Sequence, residues 1–320
     1  MKKKIGILTG GGDAPGLNAV IRAMVLKGVS EYNFEFVGIR DGWKGLLDND
    51  TMQITPALVR DIISVGGTIL GTSRTNPLKV QNGVEKCQKV YKELGLHALV
   101  AIGGDDTLGV ATQLSKNGMD IVGVPKTIDN DLSGTDYTFG FFTAVERVRT
   151  ALDWLRTTAR SHHRIMIAEV MGRYAGWITL YGAIAGGADV IVLPELPFDF
   201  DDVAQRAKKA AENRPEKYAI VAVAEGAKLS ADSGMEDIVV QDYEKDEFGH
   251  VKLGGIGKIF ATELEKRTKI QTRHVVLGHL QRGGTPTAFD RILSTRYGLK
   301  AIELVAKQEF GKAPVLDGNS

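Results

Sequence analysis

A chain of 320 residues is long enough for one large or two medium domains with a sizeable core. Forty basic residues balance thirty-nine acidic ones, a formal charge of +1, which speaks against the clustered positive field that nucleic-acid and membrane-surface proteins rely on. The single cysteine, Cys87, has no intramolecular disulfide to join, and it reads as a small apolar residue of a helix.

The chain opens with "MKKKIGILTG", in which the apolar run behind the lysines is too short for a signal segment or a span, so a cytoplasmic protein is expected. "KKIGILTG" reads as a buried strand and "GLNAVIRAMVLKGVS" as a helix with one apolar stripe. "FEFVGIR", "ALVAIGG" and "DIVGVP" read as further strands, separated by helices near 56–63, 83–95 and 106–117. A long helix follows over "YTFGFFTAVERVRTALDWLRTTARSHHR", then "RIMIAEVMG", "GWITLYGAIAGG", "DVIVLPE", a charged helix near 200–213 and "KYAIVAVAEG". Residues 228–255 break the alternation with an acidic excursion that carries a possible hairpin. "KIFATELEKRT" resumes as helix, "TRHVVLGHL" as strand and "TAFDRILSTRYGLKAIELVAKQE" as a terminal helix.

This alternation predicts an α/β protein of two similar three-layer lobes with mainly parallel sheets. One lobe is expected over 1–139 plus about 281–305, the other over 140–280 plus the C-terminal tail. Ligands of such sheets bind at the carboxyl ends of strands, where almost every glycine cluster of this chain falls.

Four stretches carry chemistry. "TGGGDAPGLNAVIR" follows a strand and opens a helix, so its amides can face an anion, yet it is neither a dinucleotide fingerprint nor a Walker motif. "ILGTSRTNP" offers Arg74, suited to phosphate by paired donation or to an ordinary surface ion pair. In "GGDDTLGVA", one of Asp105 and Asp106 can cap the following helix, while two in succession suit Mg²⁺, which completes its shell with phosphate and water. In "PKTIDND", Asp129 and Asp131 alternate on what reads as an extended segment, so that one could deprotonate a hydroxyl and the other serve a metal, unless the segment is a plain turn. Farther on, Arg164, Arg173, Arg273, His279 and Arg282 lie at ends of predicted strands, a density of cations that suits a doubly phosphorylated ligand. His274 and His279, five apart on a strand-like run, should face opposite ways and do not make a metal pair.

In the order "GGDAPGLNA", "GGDDT", "PKTIDND", "SHHR", "MGRYAG", "AEG" and "LGHLQRGG", the chain resembles the phosphofructokinases over nearly its whole length. The resemblance implies a two-lobed enzyme that phosphorylates the 1-hydroxyl of fructose 6-phosphate with Mg²⁺. It implies Asp129 as base, Thr127 beside the transferred phosphoryl group, Asp105 as the metal-linked acid, and Gly12 and Arg74 at the donor. Met171, Gly172, Arg173, Glu225, His279 and Arg282 would line the sugar. Arg164 and Arg273 would reach a neighbouring subunit's sugar site, which implies a homo-oligomer, dimer or tetramer.

Where ATP-using members carry glycine, this sequence has Asp106 and Lys126, as in the pyrophosphate-dependent branch. A carboxylate at 106 occupies the place and charge of the α-phosphate of ATP, and Lys126 can neutralise a departing phosphate; a simple ion pair of the two is compatible with both roles. Val110 also replaces a small glycine near the adenosine of ATP users. The expected activity is therefore reversible phosphoryl transfer from pyrophosphate to fructose 6-phosphate, with an ATP-dependent or mixed-donor enzyme as the alternative.

Overall fold

A computed structural model describes residues 2–230 and 254–318, which form two compact units. The hairpin expected over residues 237–255 falls almost wholly outside them.

Unit 1 comprises residues 1–128, 132–142 and 282–320. Its sheet holds β1 (Lys4–Thr9), β2 (Glu35–Ile39), β3 (Thr51–Ile54), β4 (Leu96–Gly103) and β5 (Ile121–Pro125) in the order β3-β2-β1-β4-β5. All neighbours run parallel except β3, which pairs antiparallel with β2. The strands are apolar on both faces because each face has a helical cover. Ile5, Ile7, Val100 and Ile102 pack against α1 (Leu17–Tyr32) and the long terminal α10 (Ala288–Ala306). Leu8, Leu99 and Ala101 pack on the other side against α2 (Trp43–Asp48), α4 (Gly83–Glu93) and α5 (Asp105–Lys116). Between α2 and α4 runs the short α3 (Pro56–Val59), started by Thr55, whose hydroxyl accepts from the Leu58 amide.

Two expectations change here. The tail after α10 belongs to unit 1, not to the second lobe, because it completes this sheet and core. The Gly123 amide donates to the Lys312 carbonyl at 2.9 Å, the Asp136 amide to that of Leu316 at 2.9 Å, and Leu316 is 5% exposed within the α1–α10 core. Val110, read as a bar to adenosine, packs at 2% exposure in the opposite core, the cluster that also holds Cys87. Burial pushes the Cys87 thiol up to about 12, which makes it an inert packing residue.

Unit 2 comprises residues 129–131 and 143–281. Its sheet, in the order β7-β8-β6-β9, is parallel throughout: β6 (Ile165–Val170), β7 (Val190–Val192), β8 (Ala219–Ala224) and β9 (Thr272–Val276). One face is covered by α8 (Phe200–Glu212) and α9 (Ile256–Thr268), whose Phe200 and Phe260 cluster with Phe198. Asp199 starts α8 by accepting from the Asp201 and Asp202 amides. Across the sheet, α7 (Trp177–Ala185) lies close against α6 (Phe141–His162), with Arg156 of α6 donating to the Gly187 carbonyl at 2.8 Å just past α7. The run read as a strand over 272–280 ends at Val276 and tightens into a 3-10 turn, Gly278–Arg282, so strand parity does not relate His274 to His279.

Candidate active site

In unit 1 the strand order reverses direction beside β1, so the loops after β1 and β4 lie side by side at the carboxyl edge. The loop after β1 is fastened to the segment that carries Arg74: the Gly11 amide donates to the Ser73 carbonyl at 3.0 Å, and the Thr72 hydroxyl to the Gly11 carbonyl at 2.6 Å. Asn18, buried on α1, holds the approach to that segment by donating to Val65 at 3.0 Å and accepting from the Ile69 amide at 2.9 Å. Arg74 itself is exposed.

Arg282, expected among the sugar residues and within the stretch expected to join the first lobe, belongs to unit 1 and lies on the glycine loop. It donates to the Asp13 carbonyl at 3.0 Å, and a side chain at Gly12 would meet its guanidinium at 2.8 Å. A side chain at Gly12 would push that guanidinium aside. Lys126 extends the β4 edge through its amide, which donates to the Gly103 carbonyl at 2.9 Å. Its side chain is 3% exposed and its ammonium donates to the Gly12 carbonyl. Thr127 is buried beside it, its carbonyl accepting from the Thr138 hydroxyl at 2.8 Å.

The cap position of α5 is Gly104, which brings no side chain, so neither aspartate serves as the N-cap. Asp105, exposed, and Asp106, half-buried, occupy the first turn, where the helix dipole favours negative charge. Among the described residues no three His, Cys, Asp or Glu side chains gather as a metal cage. This donor set fits Mg²⁺ in the form that takes one or two carboxylates and fills its shell from phosphate and water.

In unit 2, Asp129 and Asp131 do not share a face. The chain bends at Ile128–Asp129 and Asn130 is left-handed at φ 53°, which buries Asp129 at 6% exposure and leaves Asp131 exposed. The turn after β6 carries Met171, Gly172 and Arg173, with φ of 147° at Gly172, a value that only glycine adopts without strain, and 52° at Arg173. Glu225, directly after β8, holds that turn: one carboxylate oxygen accepts from the Gly172 amide at 3.2 Å and the Arg173 amide at 3.0 Å. Burial pushes the Glu225 carboxyl above its ordinary range; these two amides pull it back, and the charges of Asp129 and Glu169 raise it further. His279 is exposed on the 3-10 turn that follows β9 at the same edge.

Arg164 and Arg273 stand apart from this group. Both lie at the amino ends of strands, β6 and β9, where Arg164 donates to Gln271 at 2.7 Å and Arg273 to the Thr272 carbonyl at 2.7 Å. The length of β6 separates them from Met171–Arg173, roughly 20 Å at the rise of a strand. Sequence reasoning passed over Glu169, which is 1% exposed on β6 and accepts from the Gly255 and Gly257 amides, both at 2.8 Å. Its signal was a charge inside the apolar run "IMIAEVMG". Asn18, a polar residue on the buried stripe of α1, was missed likewise.

A family model described as phosphofructokinase matches residues 4–305. A pyrophosphate–fructose 6-phosphate 1-phosphotransferase of Amycolatopsis methanolica is 54% identical over 98% of this chain and 91% of its own length. The ATP-dependent 6-phosphofructokinase 3 of Streptomyces coelicolor is 50% identical over the same shares of the two chains. Among solved structures, phosphofructokinase from Saccharomyces cerevisiae superposes with a TM-score of 0.81 at 31% identity, covering 96% of this chain; the chain spans only 42% of the yeast one. With the matched model covering nearly all of its residues, this chain belongs to the phosphofructokinase family.

Proposed function

We propose that this protein transfers a phosphoryl group from pyrophosphate to the 1-hydroxyl of fructose 6-phosphate, reversibly, giving fructose 1,6-bisphosphate and phosphate. Identity alone does not separate the donors, since relatives named for pyrophosphate and for ATP stand at 54% and 50%. The observation that carries the donor assignment is Lys126, a buried ammonium at the glycine loop, in the unit that also holds the paired acids of α5. Set at that loop, Lys126 neutralises the charge that builds on an inorganic phosphate leaving group as the bond breaks.

Asp106 acts against the nucleotide. A like charge at ~4 Å from an α-phosphate costs about 4 kcal/mol at an effective dielectric near 20, or about a thousandfold in affinity. Pyrophosphate ends before that point. Gly12 and Arg74 hold the donor, and Asp105 holds Mg²⁺, which neutralises phosphate charge when bound. Met171, Gly172, Arg173, Glu225, His279 and Arg282 receive the sugar phosphate. Asp129 takes the proton of the 1-hydroxyl as its oxygen bonds to the terminal phosphorus and the bond to the inner phosphate breaks; Thr127 lies beside the group in transit. The separation of Arg164 and Arg273 from Arg173 and Glu225 within one sheet supports their service to a second copy's sugar phosphate, in a homodimer or homotetramer.

The test supplies Mg²⁺ and fructose 6-phosphate with either pyrophosphate or ATP and follows fructose 1,6-bisphosphate. Turnover with pyrophosphate and little with ATP supports the assignment; turnover with ATP alone replaces it with the ATP-dependent reading.

A further inference from the structure

A single buried residue joins the segments that bear the proposed sugar-phosphate ligands of unit 2. Glu169 lies on β6, two residues before Met171. Its side chain reaches α9, where Oε1 accepts from the Gly255 amide and Oε2 from that of Gly257, each at 2.8 Å. Gly255 is the cap position of α9 and brings no side chain of its own, so the carboxylate is imported from a strand 86 residues away. Its main-chain carbonyl accepts from Leu277 at 3.0 Å, the residue before the turn that carries His279, and the next carbonyl, of Val170, accepts from the Glu225 amide at 2.8 Å.

We propose that Glu169 is a positioning residue for sugar-phosphate binding, locking α9 and the ends of β6, β8 and β9 so that Met171–Arg173, Glu225 and His279 converge. This rests on the function proposed above. Both oxygens accept from N–H groups, which a glutamine cannot reproduce: its amide nitrogen would oppose one of the two donors. The same charge raises the Glu225 carboxyl, along with Asp129; the Gly172 and Arg173 amides oppose it, and His274 of β9 is the titratable neighbour at the start of α9. Removing the Glu169 charge therefore lowers the pH at which Glu225 takes up a proton and sugar affinity falls.

The test is the steady-state kinetics of two variants over a pH series. In Glu169→Gln, KM for fructose 6-phosphate rises roughly tenfold while KM for pyrophosphate is unchanged, and the acid limb of kcat/KM for the sugar moves to lower pH. In Gly257→Ala the added methyl meets Oε2 at 3.0 Å and displaces the carboxylate without removing its charge, so KM for the sugar rises and the acid limb stays. If Glu169→Gln does not fold, Gly257→Ala carries the test. Sugar KM at the wild-type value in the folded variants, or equal increases for both substrates, overturns this assignment. A wild-type protein that turns over neither donor overturns the proposed function, and this assignment with it.

Discussion

At the scale of single residues, the donor question turns on Asp106 and Lys126, which the sequence displayed through its resemblance to the family, as charges at two positions where ATP-using members carry glycine. Asp106→Gly removes the charge opposing an α-phosphate and one of the two paired carboxylates suited to Mg²⁺. Its kcat with pyrophosphate should fall about tenfold or more, with slight ATP use appearing; an unchanged pyrophosphate rate removes Asp106 from the mechanism. Asp129→Asn keeps shape and loses the base, so turnover should fall roughly 10²–10⁴-fold while fructose 6-phosphate binding stays measurable by calorimetry. Retained turnover refutes the assignment of Asp129 as base. Other residues were less legible. Asp131 was paired with Asp129 by strand parity, which the left-handed Asn130 breaks. Glu169 gave only a charge in an apolar run, because its partners are 86 and 88 residues distant and no local spacing announces them.

At the scale of elements, strands and helices followed from apolar runs and periodicity because each sheet is covered on both faces, and a buried strand then reads as continuous β-branched sequence. What periodicity does not encode is where an element stops when the next one is also apolar. The run "TRHVVLGHL" reads as one strand, yet after Val276 it turns into the 3-10 segment that carries His279 and Arg282. The tail was misassigned for a related reason: its partners, Gly123 and Asp136, lie far back in the chain. Leu316 is its buried anchor in the α1–α10 core. Leu316→Ala should cost about 2–4 kcal/mol of stability, read as a lower denaturant midpoint; an unchanged midpoint contradicts the tail's place in the core of unit 1.

At the scale of the molecule, the balanced charge, two mainly parallel sheets and glycine clusters at strand ends were all legible in the residues, and they fix where ligands go rather than which ligands they are. Membership of the family narrows the chemistry to phosphoryl transfer onto a sugar phosphate, while its members' names divide over the donor. The proposed activity therefore stands or falls on discrimination between two phosphoryl donors that share a terminal phosphate and differ in the group attached behind it. The direct measurement is a competition: equal pyrophosphate and ATP, the latter labelled at its γ-phosphate, with Mg²⁺ and fructose 6-phosphate, and the label counted in the bisphosphate. A thousandfold exclusion predicts label in fewer than about one product molecule in a hundred. Label in most of the product would contradict the exclusion of ATP by Asp106.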